Sequence, residues 1–422
     1  MIDTNNQRID IVDSTNQAIK VALVGDAQGS FAGDAFGRLR ISDPRTINDY
    51  KFAYIDGTDF TVNTQGSGTV SYDFNRAESV LSIGSSAGTA TQQTKMYHNY
   101  MPGKSQLIFA SFCFGPAVVG ATKRVGYFGS QNGLYLRQNG DGTLTFVVRS
   151  DTSGTVEETE YDQADWSGED VSWFDATKTQ ILFIDFEWLG VGRVRFGFNK
   201  DGRNIVAGEI YHANNLDKVY MRTANLPVRY EVSGAGTASI KQICSTVVSE
   251  GGYFEVGRQF SATTPTAKTV TTAGLTPILS IRLKNSFNGF ENRVYTRYVT
   301  IDLLATSNNV VFEVVKLPSA SALSTASWVS AGNISAVEYD ISATTYSTSS
   351  VEFIDSGLVP AGGQGTGNQA PGTAILTNEL QLRKNFIAQN FNSTDSEVFV
   401  VLAKSFNGNA TVISNITWKE VY

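Results

Sequence analysis

Residues 181–198, ILFIDFEWLGVGRVRFGF, alternate in character with a period of two on both sides of a glycine-bearing break. Ile184, Phe186 and Trp188 interleave with Asp185 and Glu187; Val194, Phe196 and Phe198 interleave with Arg193 and Arg195. A half-buried antiparallel hairpin demands this alternation, and a helix has no use for it. A three-residue loop, Gly190-Val191-Gly192, sets Leu189 opposite Arg193, Trp188 opposite Val194, Glu187 opposite Arg195 and Phe186 opposite Phe196. One face is then aromatic, and the other carries a Glu187–Arg195 ion pair across the strands. A two-residue loop puts Trp188 beside Arg193 and scrambles the faces. Gly192 is expected to take the left-handed position that closes the loop.

Composition extends the β reading to the whole chain. Only 17% of the 422 residues are charged, against roughly 25% in ordinary soluble domains. Ser, Thr, Asn, Gln and Gly fill the gap, and they suit exposed β faces and turns better than helices. Residues 105–114, 124–128, 134–137, 144–149, 205–212, 228–232 and 240–248 read as strands, punctuated by Gly, Asn and Asp clusters such as 138–142. Residues 163–179 have room for one helical turn. After a Thr/Ala/Pro run at 259–276, strands resume at 278–283, 292–305, 310–316, 336–341, 350–354, 380–385, 397–406 and 410–419. Two turns share the letters SFNG (286–289 and 405–408), each expected to close a hairpin. The Gly/Pro-rich stretch 357–374 reads as an exposed contact loop.

The expected fold class is therefore all-β: two β-sandwich domains, jelly-roll or lectin-like, preceded by an extended anchoring segment. The boundaries are 1–45 for the anchor, 46–258 for the first sandwich, 259–276 for a linker and 277–422 for the second sandwich. The first 45 residues hold too little apolar surface to close a core alone, so their expected use is to add strands to a neighbouring subunit. Phe36, Arg38 and Arg40, in AFGRLRISDP, are the residues expected to anchor it.

Candidate chemistry is sparse. A net charge of −7, with no Lys/Arg run longer than a pair, argues against nucleic-acid binding. No apolar run reaches the ~20 residues of a membrane-spanning helix, and the polar start MIDTNNQRIDIVD has no signal-peptide core. Cys113 and Cys244 sit in apolar contexts and are expected to be buried free thiols. Two histidines and two cysteines are too few for a convincing zinc site. Asp185 and Glu187 have carboxylate spacing along one strand, but Arg195 accounts for Glu187. The acidic turn 156–162 (VEETEYD) and Asn139-Gly140-Asp141-Gly142 lack the alternating oxygen spacing of a calcium loop. No cofactor is expected. Tyr97, His98 and Tyr100, or Tyr211 with Asn214 and Asn215, combine rings with planar polar groups and are the candidate glycan or interface contacts.

The segments GDAFGRLRISDPRTINDYKFAY (33–54), YMPGKSQLI (100–108), KRVGYF (123–128) and IDFEWLGVGRVRFGF…YMRTANLPVRYEV (184–232) resemble a family of tailed-bacteriophage virion proteins from marine and cyanobacterial phages. The resemblance covers about residues 33–252. It implies incorporation into a particle assembled in the host cytoplasm, without naming capsid, neck, baseplate or fibre, and it carries no catalytic residues. The expected function is a non-enzymatic structural subunit, homo-oligomeric as a trimer or higher, with other virion proteins as partners. The alternative is a lectin-like receptor-binding fibre protein that takes host glycan. A polysaccharide depolymerase ranks last, because no fixed 20–30-residue repeat of a β-helix is present.

Overall fold

The computed structural model describes residues 12–13, 18–19, 43–53, 58–361, 373–377 and 385–422. The chain divides into two compact units, 1–43 and 44–422. In the first, Val12–Asp13 pairs with Ala18–Ile19; the anchor residues Phe36, Arg38 and Arg40 lie outside the described residues.

The second unit is built from two β-sandwiches, and no α-helix occurs among its described residues. One sheet of the first sandwich orders Glu157–Asp162, Leu144–Ser150, Gly133–Gln138, Ala121–Phe128, Val228–Gly234, Gly88–Thr94 and Phe60–Gly66. The facing sheet orders Arg203–Ile210, Val194–Lys200, Gln180–Phe186, Gln106–Cys113, Ala238–Ser249, Glu78–Ile83 and Thr69–Asp73, with Arg45–Lys51 also paired to Ala238–Ser249. Inward residues of both sheets share one core, and Phe146 stacks on Phe196 across it at 3.8 Å between ring centres. Burial of such side chains, at about 1.5–3 kcal/mol each, is what drives the sheets together.

The 181–198 hairpin forms with the expected faces and a different register. Asp185, not Glu187, stands opposite Arg195, and Phe186 stands opposite Val194. Five residues, 188–192, make the loop, closed by Glu187 N donating to Arg193 O at 3.1 Å and Gly192 N to Trp188 O at 2.9 Å. A shift of two residues preserves which side chains face the core. The cause is tertiary. The Trp188 amide donates to the Tyr100 hydroxyl at 2.9 Å and its indole N–H to Met221 O at 3.0 Å, which pulls it off the ladder. Leu189 (φ 35°) and Gly190 (φ 83°) take the left-handed positions in place of Gly192. Gly192 is needed for close approach: a Cβ there meets Glu187 O at 2.2 Å.

In the second sandwich one sheet orders Arg258–Thr263, Ala410–Val421, Tyr295–Ala305 and Thr373–Thr377, with Lys268–Val270 also on Ala410–Val421. The other orders Val329–Ser330, Val337–Asp340, Thr276–Leu283, Val398–Ser405, Val310–Leu317 and Glu352–Val359. Half of the expected linker 259–276 is thus strand, mostly held by Ala410–Val421; among its apolar residues, Ala262 and Val270 enter the core and Phe260 packs against it. Val398–Ser405 does not alternate: its first six residues are all buried. A separate cluster, including Ala320, Leu323 and Ala343, covers the back of that sheet, and a strand buried on both faces reads as a continuous apolar run.

Other expectations are corrected by the same pairing. The acidic stretch expected as a turn is an edge strand, Glu157–Asp162, whose carboxylates reach Arg149 and Arg137. Ser286–Phe287 and Phe290–Glu291 do form a tight hairpin, with Asn288 and Gly289 both at positive φ. The second SFNG instead links Val398–Ser405 to Ala410–Val421, which belong to opposite sheets. Residues 357–359 and 373–374 of the expected contact loop lie in strands, and 362–372 fall outside the described residues, as do most of 380–385. Cys113 is buried and Cys244 exposed, both as free thiols.

Candidate functional site

The two sandwiches meet along a junction that is more polar than either core. Lys95 pairs with Glu397 at 2.7 Å and Arg297 with Glu255 at 2.9 Å. A small apolar cluster (Met96, Tyr295, Phe386, Ala388 and Val421) fills part of the seam. Beside it opens a cleft of about 400 Å3 with walls from both sandwiches.

Three segments of the first sandwich form one wall. Tyr97 follows the strand Gly88–Thr94, residues 129–132 turn tightly between two strands, and residues 222–226 lead into Val228–Gly234. Gly129 N bonds Asn132 O at 2.8 Å to close that turn. Asn132 is almost fully buried and donates to Asp151 at 2.8 Å while accepting from the Arg222 amide at 2.9 Å. Asp151 also pairs with the Arg222 guanidinium at 2.7 Å. The opposite wall is the hairpin carrying Phe287 and Phe290, residues 291–294, and Val421 with Tyr422. Asn292 pins the hairpin base by donating to Lys284 O and Ala336 O at 2.8 Å each.

Guanidinium groups hold the rings. Arg222 lies 4.0 Å from the centre of the Phe290 ring, reaching across the junction, and Arg293 lies 4.9 Å from that of Tyr97 in the other direction. Such contacts are worth about 0.5–2 kcal/mol each and fix ring orientation. Arg293 donates to Asn390 O at 2.9 Å and Phe391 O at 2.7 Å. Phe287 stacks on Tyr422 at 5.7 Å, and the Tyr422 hydroxyl sits 2.6 Å from the buried Glu420 carboxylate. Burial and that carboxylate push the Tyr422 phenol well above its ordinary range.

Of the candidate contact residues, only Tyr97 lines this cleft. His98 and Tyr100 are buried. His98 Nε2 faces the Tyr50 hydroxyl at 2.9 Å and Nδ1 faces Leu226 O at 3.0 Å; desolvation lowers its pKa to about 4. Tyr100 lies against Phe186 and accepts from the Trp188 amide. Neither ring is offered to a ligand. Tyr211 is 55% exposed, but its hydroxyl bonds Glu209. Asn214 and Asn215 shape the turn behind it: Asn214 has φ 62° and Asn215 donates to Tyr211 O at 2.9 Å. That group lies apart from the cleft lining. His212 stacks flat on Tyr220 at 4.0 Å with Nδ1 2.7 Å from Gly192 O, and burial lowers its pKa. Asp185 is tied to Arg195 and largely buried, while Glu187 is exposed. Asp141 caps its own turn through Thr143 N and Oγ1 at 3.0 and 2.7 Å. Among the described residues no three His, Cys, Asp or Glu side chains converge as metal ligands, and no helix is long and apolar enough to cross a membrane.

Phe287, Phe290, Arg222 and Arg293 were not among the candidate residues. SFNGF did carry a signal, since a two-residue Asn-Gly turn sets its flanking phenylalanines side by side. The meeting of that hairpin with residues 129–132 and 222–226, far away in sequence, had none.

No family model and no curated protein matches the chain. Among solved structures, the CBM2 module of the evolved Dit of Lactobacillus casei BL23 phage J-1 is similar at 9% identity, over 51% of this chain and 100% of that one, with a TM-score of 0.34. A glycoside hydrolase family 16 endo-glucanase from Bacteroides ovatus matches at 9% identity, over 48% of this chain and 99% of that one, at 0.33. A carbohydrate esterase from Shiga toxin-encoding bacteriophage phi24B matches at 11%, over 50% of this chain and 100% of that one, at 0.31. Likeness this slight carries no functional weight.

Proposed function

We propose that the chain is a non-enzymatic structural subunit of a tailed-phage particle, attached through its first 43 residues and assembled there as a homo-oligomer of three or more copies. The observation that carries this reading is the division of the chain at Asp43 and Pro44. It separates a short segment, poor in apolar surface, from a body that has two cores of its own. The sequence resemblance to virion proteins of marine and cyanobacterial phages, which implies incorporation into the particle, points the same way. Long edge strands are a liability that particles remove by pairing subunits, and Glu352–Val359 is such an edge, with Phe353 and Leu358 about two-thirds exposed. Mass spectrometry of gradient-purified particles tests the reading. The polypeptide is expected in multiple copies per particle and resistant to high-salt washing; its absence from purified particles contradicts it.

A further inference from the structure

We propose that the cleft between the two sandwiches binds an uncharged saccharide, clasped by both walls. This goes beyond particle incorporation and stands without it. The volume of about 400 Å3 falls within the range of small-molecule sites. Phe290 and Tyr422 line the cleft with 51% and 43% of their surface still exposed. Sugar rings offer a flat C–H face to an aromatic ring and hydroxyls to planar polar groups. Both are available here, with Ser130, Gln131 and Asn288 exposed at the rim.

The rings are fixed before any ligand arrives. Arg222 backs Phe290 at 4.0 Å and is itself held by Asp151 and Gln131 at 2.7 and 2.8 Å. Tyr422 is tethered through its hydroxyl. Such pre-organisation removes the ordering entropy that ordinarily opposes binding.

Charge selects the ligand class. An anion meets the exposed Glu291 carboxylate on the cleft wall, 3.5 Å from Arg293, and competes with Asp151 at Arg222 and with the carbonyls of Asn390 and Phe391 at Arg293. A cation meets two guanidinium groups already seated against the rings.

The test uses the full chain on an array of neutral oligosaccharides built from hexoses and N-acetylhexosamines, with sialylated and uronic-acid glycans as the acidic arm, and titration calorimetry of the strongest binder. Phe290→Ala on one wall and Gln131→Ala on the other alter exposed side chains, and melting curves check that both variants stay folded. The expected result is binding of a neutral glycan that weakens about tenfold or more in each folded variant. Affinity is expected to change less than about twofold between low and high salt, since no net charge is matched. Failure to bind any neutral glycan, preference for the acidic arm, or unchanged affinity in both variants overturns the proposal.

Discussion

Only one neutral tautomer satisfies His98. With Nδ1 protonated, the ring donates to Leu226 O and accepts from the Tyr50 hydroxyl, which also accepts from Asn48 at 2.9 Å. A second proton would place a full charge on a ring with no solvent contact, and this desolvation depresses the pKa from 6.5 to about 4. The sign follows: the unfolded chain takes up a proton as pH falls below 6.5, and the folded chain does not. Stability is whole above 6.5 and is lost as pH falls toward 4, with a contribution from this residue of about 3 kcal/mol at the lower end. Denaturant titrations at pH 7, 5.5 and 4 should show this loss, and His98→Asn should flatten the slope by about one proton. A variant as acid-sensitive as the parent contradicts the assignment. The sequence showed His98 among tyrosines near a turn but could not say which way it faced, because neighbours in an irregular segment point to opposite sides. Tyr97 lines the cleft while His98 enters the body. Cys244 defied its apolar context for a related reason: it lies at an irregularity in Ala238–Ser249, where the register shifts between Gln242 and Ser245.

At the scale of the element, alternation told which faces are buried and left the pairing open by two residues. Ile184, Phe186, Val194, Phe196 and Phe198 all enter the core as the pattern requires. The loop length was set by Trp188 finding Tyr100 and Met221, contacts no local pattern contains. The register can be tested through its ion pair. Arg195→Met strands the largely buried Asp185 carboxylate and should destabilise the protein by about 1–3 kcal/mol. Glu187→Gln, on an exposed side chain, should fall within about 0.5 kcal/mol of the parent. The reverse order in urea melts contradicts the Asp185–Arg195 pairing.

Strands whose burial is polar were illegible. Gly88–Thr94 has five consecutive buried residues, Ala90 to Thr94, with one apolar side chain among them. Gln92 accepts from Ser79 at 2.6 Å and Thr91 reaches Glu231 at 3.3 Å, so hydrogen bonds stand in for apolar burial. Glu157–Asp162 was illegible for a different reason: it is an exposed edge, and its four glutamates and aspartates read as a solvated turn until Arg149 on the paired strand and Arg137 one strand further are known.

For the whole molecule, two sandwiches follow from composition and rhythm, and the way they join does not. Their seam is built from ion pairs, stacked guanidinium groups and a five-residue apolar cluster, a mixture whose members are indistinguishable in sequence from ordinary surface residues. The same scale holds the central claim, that residues 1–43 attach the protein and residues 44–422 fold without them. Expressing residues 44–422 during infection, beside the full chain, and counting each in purified particles tests it most directly. The account predicts a soluble, β-rich, cooperatively melting fragment that is absent from the particles while the full chain is incorporated; incorporation of the fragment at the level of the full chain contradicts it.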